Sequence, residues 1–416
     1  MTAVVLLVGS TMADAVGGIS RSYRGVFEKL GYEFIEINLP DKERALQQIK
    51  NLAYVDVAFS FSFLGMGTDI MVNLEGGKMA DIWEVLRIPY ISLYGDSPAY
   101  FFDRHVLPNP GFVGLYGFPE HLELRRRFPN INCMLDTYPP VAIDTVAKDS
   151  IDFTKKATGP IIMLKNGNDP KKVKSLWAQY LPAKINGMML EVVHELEKRL
   201  NDKVTTQIDD LLLTYFSSRS IDITAFAKLR LFMIAQLDDY LRRLKSTFVV
   251  EALLDFPILL NGYNWDHVDF SGRRMQYVPG GHYVASRALI QEALATIDVS
   301  PNTTGGPHDR PLRSIGAYTL CLTNEQEFFS THLPHSADFF YRFDKDSMQA
   351  RVADVLAHRQ RSLDIGVNVA EAFMRKFQPE AFAHKLLDLA ALARFNQLSA
   401  LPDGMPIYFA WPPKKL

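Results

Sequence analysis

Cysteine is almost absent: Cys133 and Cys321 are the two in 416 residues, far apart and without metal-ligand spacing. Both sit in apolar surroundings, which fits small buried side chains. There is no excess charge of either sign, since 45 Lys and Arg face 47 Asp and Glu for a formal −2. A nucleic-acid binder would carry a basic footprint, so nucleic acid is not expected as a partner. No run approaches the about 18 consecutive apolar residues of a membrane span. The N-terminal MTAVVLLVGS has a short apolar run and no basic leader. It reads as a first strand, and the expected location is cytoplasmic. No D-x-D triplet precedes a strand end and neither His282 nor His308 forms a metal set with an Asp at ligand spacing, so no metal site or resident cofactor is expected.

What is present is length and an alternating pattern. With 416 residues, 48 % of them apolar, the chain can bury two cores rather than one. The first part alternates apolar runs at 4–8, 33–39, 55–61, 89–93 and 111–116 with helical patterns at 20–30, 41–52 and 79–86. That rhythm predicts a parallel sheet covered on both faces, a Rossmann-like domain. Residues 9–18 read as a long loop holding Asp14, Gly17 and Gly18, and it is not a G-x-G-x-x-G fingerprint. Asp96 follows a strand and His105 comes soon after. Asp14, Asp96 and His105 are three candidates for a base that takes a hydroxyl proton, and each is equally explained as a turn, capping or surface residue.

Polar residues at 148–159 mark a linker, which divides the chain into domains at 1–155 and 156–378, with a tail from 379 to 416. A strand at 160–164 then ends at Lys165-Asn166-Gly167, where Lys165 is either a point charge for a phosphate or a solvated turn residue. Residues 171–245 carry apolar stripes at helical spacing. They read as a helical insertion that packs on its domain, forms a homo-oligomer contact or holds a protein acceptor. A strand at 256–262 runs into Gly262, Tyr263 and Trp265, whose rings either stack on a base or serve as apolar cover. Gly280-Gly281-His282 opens a helix at 283–294. The densest stretch follows: a strand at 295–299, turn chemistry at 302–306, a helix capped by Asp309 with Arg310 and Pro311 in its first turn, Gly316 as its stop, and a strand at 318–323. A strand-end loop feeding a helix N-terminus suits a diphosphate, and Arg310 and Arg313 add full charges. His282 and His308 sit at helix starts nearby. The last segment is helical from 346 to about 401, then extended around Tyr408 and Trp411.

The stretch from Asn302 through Arg310 to Gly316 resembles the donor half of GT-B glycosyltransferases, in particular the CgeB-like (spore-maturation) group with its R-x-x-E-x-x-A-x-G helix. Here Arg313 stands where that pattern has Glu, and Tyr318 where it has Gly. The resemblance covers the C-terminal third well and the N-terminal third in outline. It implies two Rossmann-like domains facing a cleft, the second with a helical insertion, and a final helix crossing back to the first. It also implies sugar transfer from a nucleotide-sugar co-substrate to a hydroxyl of a glycan or protein, without a metal. Donor-side positions would be Lys165, Asn166, Gly262, Tyr263, His282, Asn302, His308, Asp309, Arg310 and Arg313. Gly17 and Gly18 would belong to the acceptor loop. The pattern's Glu accepts hydrogen bonds from ribose and an Arg cannot, so a degenerate fold that binds without catalysis stays open, as does a sugar epimerase.

Overall fold

In the computed structural model, which describes residues 1–9, 15–74, 76–100, 109–128, 134–202, 205–281 and 283–399, the apolar runs become strands. The first elements are β1 (Ala3–Val8), α1 (Ala15–Ser22), α2 (Arg24–Lys29), β2 (Glu33–Asn38), α3 (Lys42–Asn51) and β3 (Val57–Phe63). Next come β4 (Met71–Asn73), β5 (Met79–Asp81), α4 (Ile82–Val85), β6 (Tyr90–Tyr94), β7 (Phe112–Tyr116), α5 (Pro119–Arg126) and β8 (Met134–Thr137). The chain continues through α6 (Phe153–Thr158), β9 (Ile161–Leu164), α7 (Pro170–Tyr180), α8 (Ala183–Glu197), α9 (Thr205–Ser217) and α10 (Ala227–Ala252). Then follow β10 (Ile258–Gly262), β11 (Gln276–Pro279), α11 (Tyr283–Glu292), β12 (Ala295–Ile297), α12 (Asp309–Gly316) and β13 (Leu320–Asn324). The remainder is α13 (Glu327–His332), α14 (Ser336–Phe339), β14 (Phe340–Tyr341), α15 (Lys345–Ala357), α16 (Arg359–Lys376) and α17 (Pro379–Ser399).

The contacts divide the chain into Met1–Val141 with Gln378–Leu416, and Ala142–Phe377. The first unit holds a six-stranded sheet in the order β2-β1-β3-β6-β7-β8, every pair parallel. All six residues of β1 are buried, so alternate side chains feed both faces of the sheet. Val4, Leu6 and Val8 pack with Phe27, Phe59 and Phe61 and with Phe382, Leu386 and Ala390 of α17. Val5 and Leu7 pack on the other face with Ile49, Trp83 and Tyr90. Arg394 of α17 also donates to the carbonyls of Val57 and Ala58, at 2.7 and 3.0 Å.

Two expectations fail here. Residues 79–86 are not one helix: β5 pairs antiparallel with β4, and a single turn, α4, follows with Asp81 accepting from Trp83 N. Gly76 and Gly77, at φ +84° and +78°, supply the hairpin turn, a signal that outweighs the helical spacing beyond it. Gly17 and Gly18 are not in a loop but inside α1, whose serines bond back to its own carbonyls, Ser20 to Val16 and Ser22 to Ile19. The predicted helix at 20–30 is correspondingly split between α1 and α2.

The second unit holds a six-stranded sheet in the order β11-β10-β9-β12-β13-β14, again all parallel. In strand sequence this is the 3-2-1-4-5-6 order of a doubly wound dinucleotide-type fold. Helices α7 to α10 form the insertion between β9 and β10. A buried ion pair, Arg230 with Asp209, ties α10 to α9, and Trp177 Nε1 donates to Gln236 to tie α7 to α10. The polar stretch at 148–159 is not the boundary, because the chain joins this unit from Ala142 onward. Ile143 N donates to Leu312 O and Val146 N to Gly316 O, at 3.2 and 3.1 Å. A Cβ at Gly316 would overlap the Ile143 carbonyl, so glycine serves this close approach and not the helix stop. No described helix is long and apolar enough to cross a membrane.

Candidate functional site

Strand order reverses between the paired neighbours β9 and β12, so the connections leaving their carboxyl ends part there, which is where folds of this order bind ligands. Lys165 follows β9, Asp298 follows β12, and α12 starts nearby with His308 as its cap and Asp309 as its first residue. Arg310 Nη1 donates to Asp298 Oδ1 at 3.0 Å and lies 3.4 Å from His308 Nδ1. Asp298 is 1 % exposed and its carbonyl accepts from the Tyr341 hydroxyl at 2.6 Å, so the acid that holds Arg310 is itself fixed. His308 pairs with Asp309. Burial would lift the Asp309 carboxyl, yet His308, Arg310 and Arg313 together hold it well below the usual range. Burial opposes the Arg310 charge, and Asp309 and Asp298 more than restore it.

Lys165 makes no ion pair among the described residues. Burial, and then the Arg310 charge, push its amine down to about 7, with Asp298 opposing and Arg242 adding to the shift. Each arginine of the cluster thus has its own acid, Arg310 with Asp298 and Arg242 with Asp238, and among the described residues Lys165 is the amine without one. An incoming anion would complete the balance.

The neighbouring loops are built to bring Lys165 there. A Cβ at Gly262 would overlap the Lys165 carbonyl, so glycine lets the ends of β9 and β10 meet. Asn166 Oδ1 accepts from Tyr263 N at 2.9 Å, and Gly167 N donates to Tyr263 O at 2.8 Å. Trp265 is fully buried and donates to Lys165 O at 2.8 Å, which makes it apolar cover, while the Tyr263 ring is 44 % exposed.

Lys165, His308, Asp309 and Arg310 therefore come together, and Asn166, Gly262 and Tyr263 form the adjoining loops. Two other residues are drawn into the scaffold. Asn302 is buried, its amide donating to the Asp238 carbonyl and carboxylate of α10 at 3.2 and 2.8 Å. Arg313 is 4 % exposed; Nε donates to Asp144 at 2.9 Å, Nη2 to Tyr283 O at 3.0 Å, and its guanidinium lies 4.0 Å from the centroid of the Tyr283 ring. Tyr318, where the resembling pattern has Gly, takes the left-handed conformation at φ +54°. Asp96 is half-buried at the end of β6, and its charge raises the Tyr138 hydroxyl beyond what burial does. Asp14, His105, His282 and Cys133 lie outside the described residues, as does the segment with Tyr408 and Trp411. Cys321 is a free thiol pushed up by burial and by Asp298. Among the described residues, no group of three or more His, Cys, Asp or Glu is placed to hold a metal ion.

Asp298, Asp238 and Arg242 escaped the sequence reading. Asp298 sits inside an apolar run, and Asp238 and Arg242 are an i,i+4 pair on a helix, which ordinarily marks a solvated face.

No family model matches the chain, and no curated protein matches its sequence. Solved structures do match. Phage T4 β-glucosyltransferase in complex with UDP-glucose is 9 % identical over 93 % of this chain and 99 % of that chain, with a TM-score of 0.50. The same phage enzyme with UDP and Mn2+ is 11 % identical at the same coverage and TM-score. An Anabaena protein, HepE, in complex with UDP and glucose is 8 % identical over 94 % of this chain and 99 % of that chain, with a TM-score of 0.49. At this identity the likeness is one of fold. The chain has the GT-B fold, with two Rossmann-like parallel sheets.

Proposed function

We propose that the protein is a glycosyltransferase that takes a sugar from a nucleotide-sugar donor and passes it to a hydroxyl acceptor. The observation that carries this reading is Lys165, left without an ion pair beside the Arg310–Asp298 pair at the switch point of the second sheet. The donor diphosphate would sit against Lys165, Arg310 and the start of α12, where positive charge stabilises the leaving group. These residues supply charge that a metal ion would otherwise bring, so transfer should proceed without added metal. The phage enzyme's structure with UDP and Mn2+ makes that a direct comparison: activity in a chelator against activity with Mn2+. The acceptor, bound through the first unit with Asp96 as one candidate base, would be a glycan or protein. DNA, which the phage enzyme modifies, fits poorly with a net charge of −2. Within GT-B proteins, the CgeB-like group remains the reading for the 302–316 stretch.

A second reading has its own support. Arg313 occupies the place of a ribose-binding Glu and is committed to Asp144. That favours a fold that binds a nucleotide or partner without transferring a sugar. One experiment separates the two: thermal-shift screening of nucleotide sugars, followed by an assay for released nucleotide with candidate acceptors. Stabilisation by a donor with turnover supports transfer, stabilisation without turnover supports the nucleotide binder, and no stabilisation by any donor sinks both of these and leaves only a partner-binding fold.

A further inference from the structure

Asp238, Arg242 and Lys245 recur on α10 at the three- and four-residue spacing that places side chains on one helix face. The first two serve the Asn302 loop and the Lys165 cluster. Lys245 reaches a different place, a small cavity at the carboxyl ends of β12, β13 and β14 lined in part by Asn201, Asp202, Ser300, Asn324, Glu325 and Phe343. The residue is 3 % exposed. Its ammonium lies 4.8 Å from the centroid of the Phe343 ring and has no hydrogen-bond acceptor among the described residues.

The two amides of this cavity are oriented by backbone. Asn201 Oδ1 accepts from Phe343 N at 2.7 Å, and Asn324 Oδ1 accepts from Ser300 N at 3.1 Å. With both oxygens taken, each amide has its NH2 left to offer: that of Asn324 finds only Glu325 O at 3.5 Å, and that of Asn201 finds no partner among the described residues. The cavity therefore offers an ammonium and two amide NH2 groups, in a lining that also includes Asn302, Asp202 and Glu325. Its volume of about 20 Å3 holds a water-sized group, so it suits the head of a ligand and not a ring.

We propose that this cavity is an oxyanion subsite, in which Lys245 and the amides of Asn201 and Asn324 hold a carboxylate or phosphate oxygen. It does not depend on the donor reading. Asp202 and Glu325 are exposed acids of the lining, screened by solvent yet repulsive to a highly charged head, so a singly charged carboxylate is favoured over a phosphate dianion. Burial pushes the Lys245 amine down to about 8; Asp238 and Asp202 oppose this, and Arg242 adds to it. A bound anion would favour the charged form.

The test is labelling of the native protein by reductive methylation at pH 8 with formaldehyde, a reagent small enough for the cavity, and an amine–borane, mapped by mass spectrometry, with acetate, glucuronate or inorganic phosphate present. Acetate should slow labelling of Lys245 by roughly fivefold once it reaches about four times its Kd. Phosphate should protect less. Equal protection by acetate and glucuronate marks free carboxylates as the occupant; much tighter protection by glucuronate marks an acidic sugar. Asn201→Asp keeps an oxygen for Phe343 N but replaces the donor with a charge, and should abolish protection. Lys245→Met should keep its fold and lose the rise in melting temperature that acetate gives the wild type. Labelling of Lys245 that no anion slows, or protection that survives in Asn201→Asp, overturns the proposal. So does protection that Arg310→Ala removes, since that places the anion at the other cluster.

Discussion

Lys165 titrates near 7 in the folded chain, whereas an unfolded lysine does so near about 10.4. Between those values the unfolded chain holds a proton that the native one has lost, so this group's penalty is full below about pH 7 and fades as pH rises toward about 10. A diphosphate beside the amine reverses the shift. Binding of a nucleotide diphosphate at about pH 8 should then take up close to one proton, read by calorimetry in buffers of different ionisation enthalpy, and Lys165→Met should abolish the uptake. Arg310 has two roles that can be separated. Arg310→Ala should weaken nucleotide-sugar binding by about 1.5–3 kcal/mol, the loss of a charge-assisted contact. It also strands the buried Asp298 carboxylate, at a cost of about 3–5 kcal/mol in stability. Adding Asp298→Ala should recover part of the stability and none of the affinity; recovery of both would make Arg310 purely structural.

Elements were legible where their signal is local. The strand, loop and helix from 295 to 316 follow from apolar periodicity and a Pro in the first helical turn, and appear as β12 and α12. The hairpin β4–β5 was not, because its strands are three residues long and exposed enough to carry no apolar pattern. Nor did the role of Gly316 show in sequence, since its neighbour, Ile143, comes from a distant segment. Gly316→Ala should therefore cost about 1–3 kcal/mol, as overpacking against backbone does, read in a denaturant titration. A neutral result would mean that the segment from Ala142 is not packed on α12.

The chain as a whole leaves the first unit at Val141 and returns to it at Gln378. Helix α17 contributes Phe382, Leu386 and Ala390 to a core made otherwise by residues of the first third. Leu386→Ala should cost about 2–5 kcal/mol. Hydrogen exchange should quicken in β1 and β3 and stay unchanged in β9 to β14. If the second sheet loosened equally, the division into two units would be wrong.

What the sequence by itself determined is the alternation of strand and helix, hence two parallel sheets, and the strand ends where charges gather. Apolar period and turn chemistry are properties of neighbouring residues, so they survive without knowledge of the fold. Which charge meets which was decided only by tertiary structure. Arg310 and Arg313 look alike on one short helix, yet Arg310 meets Asp298 at the switch point, while Arg313 meets Asp144, 169 positions away. Asn302 reaches Asp238 across 64 positions, and Lys245 reaches its cavity through the packing of α10. An ionic group takes the partner that burial leaves within a few ångströms, and that distance is set by how the sheets and helices pack.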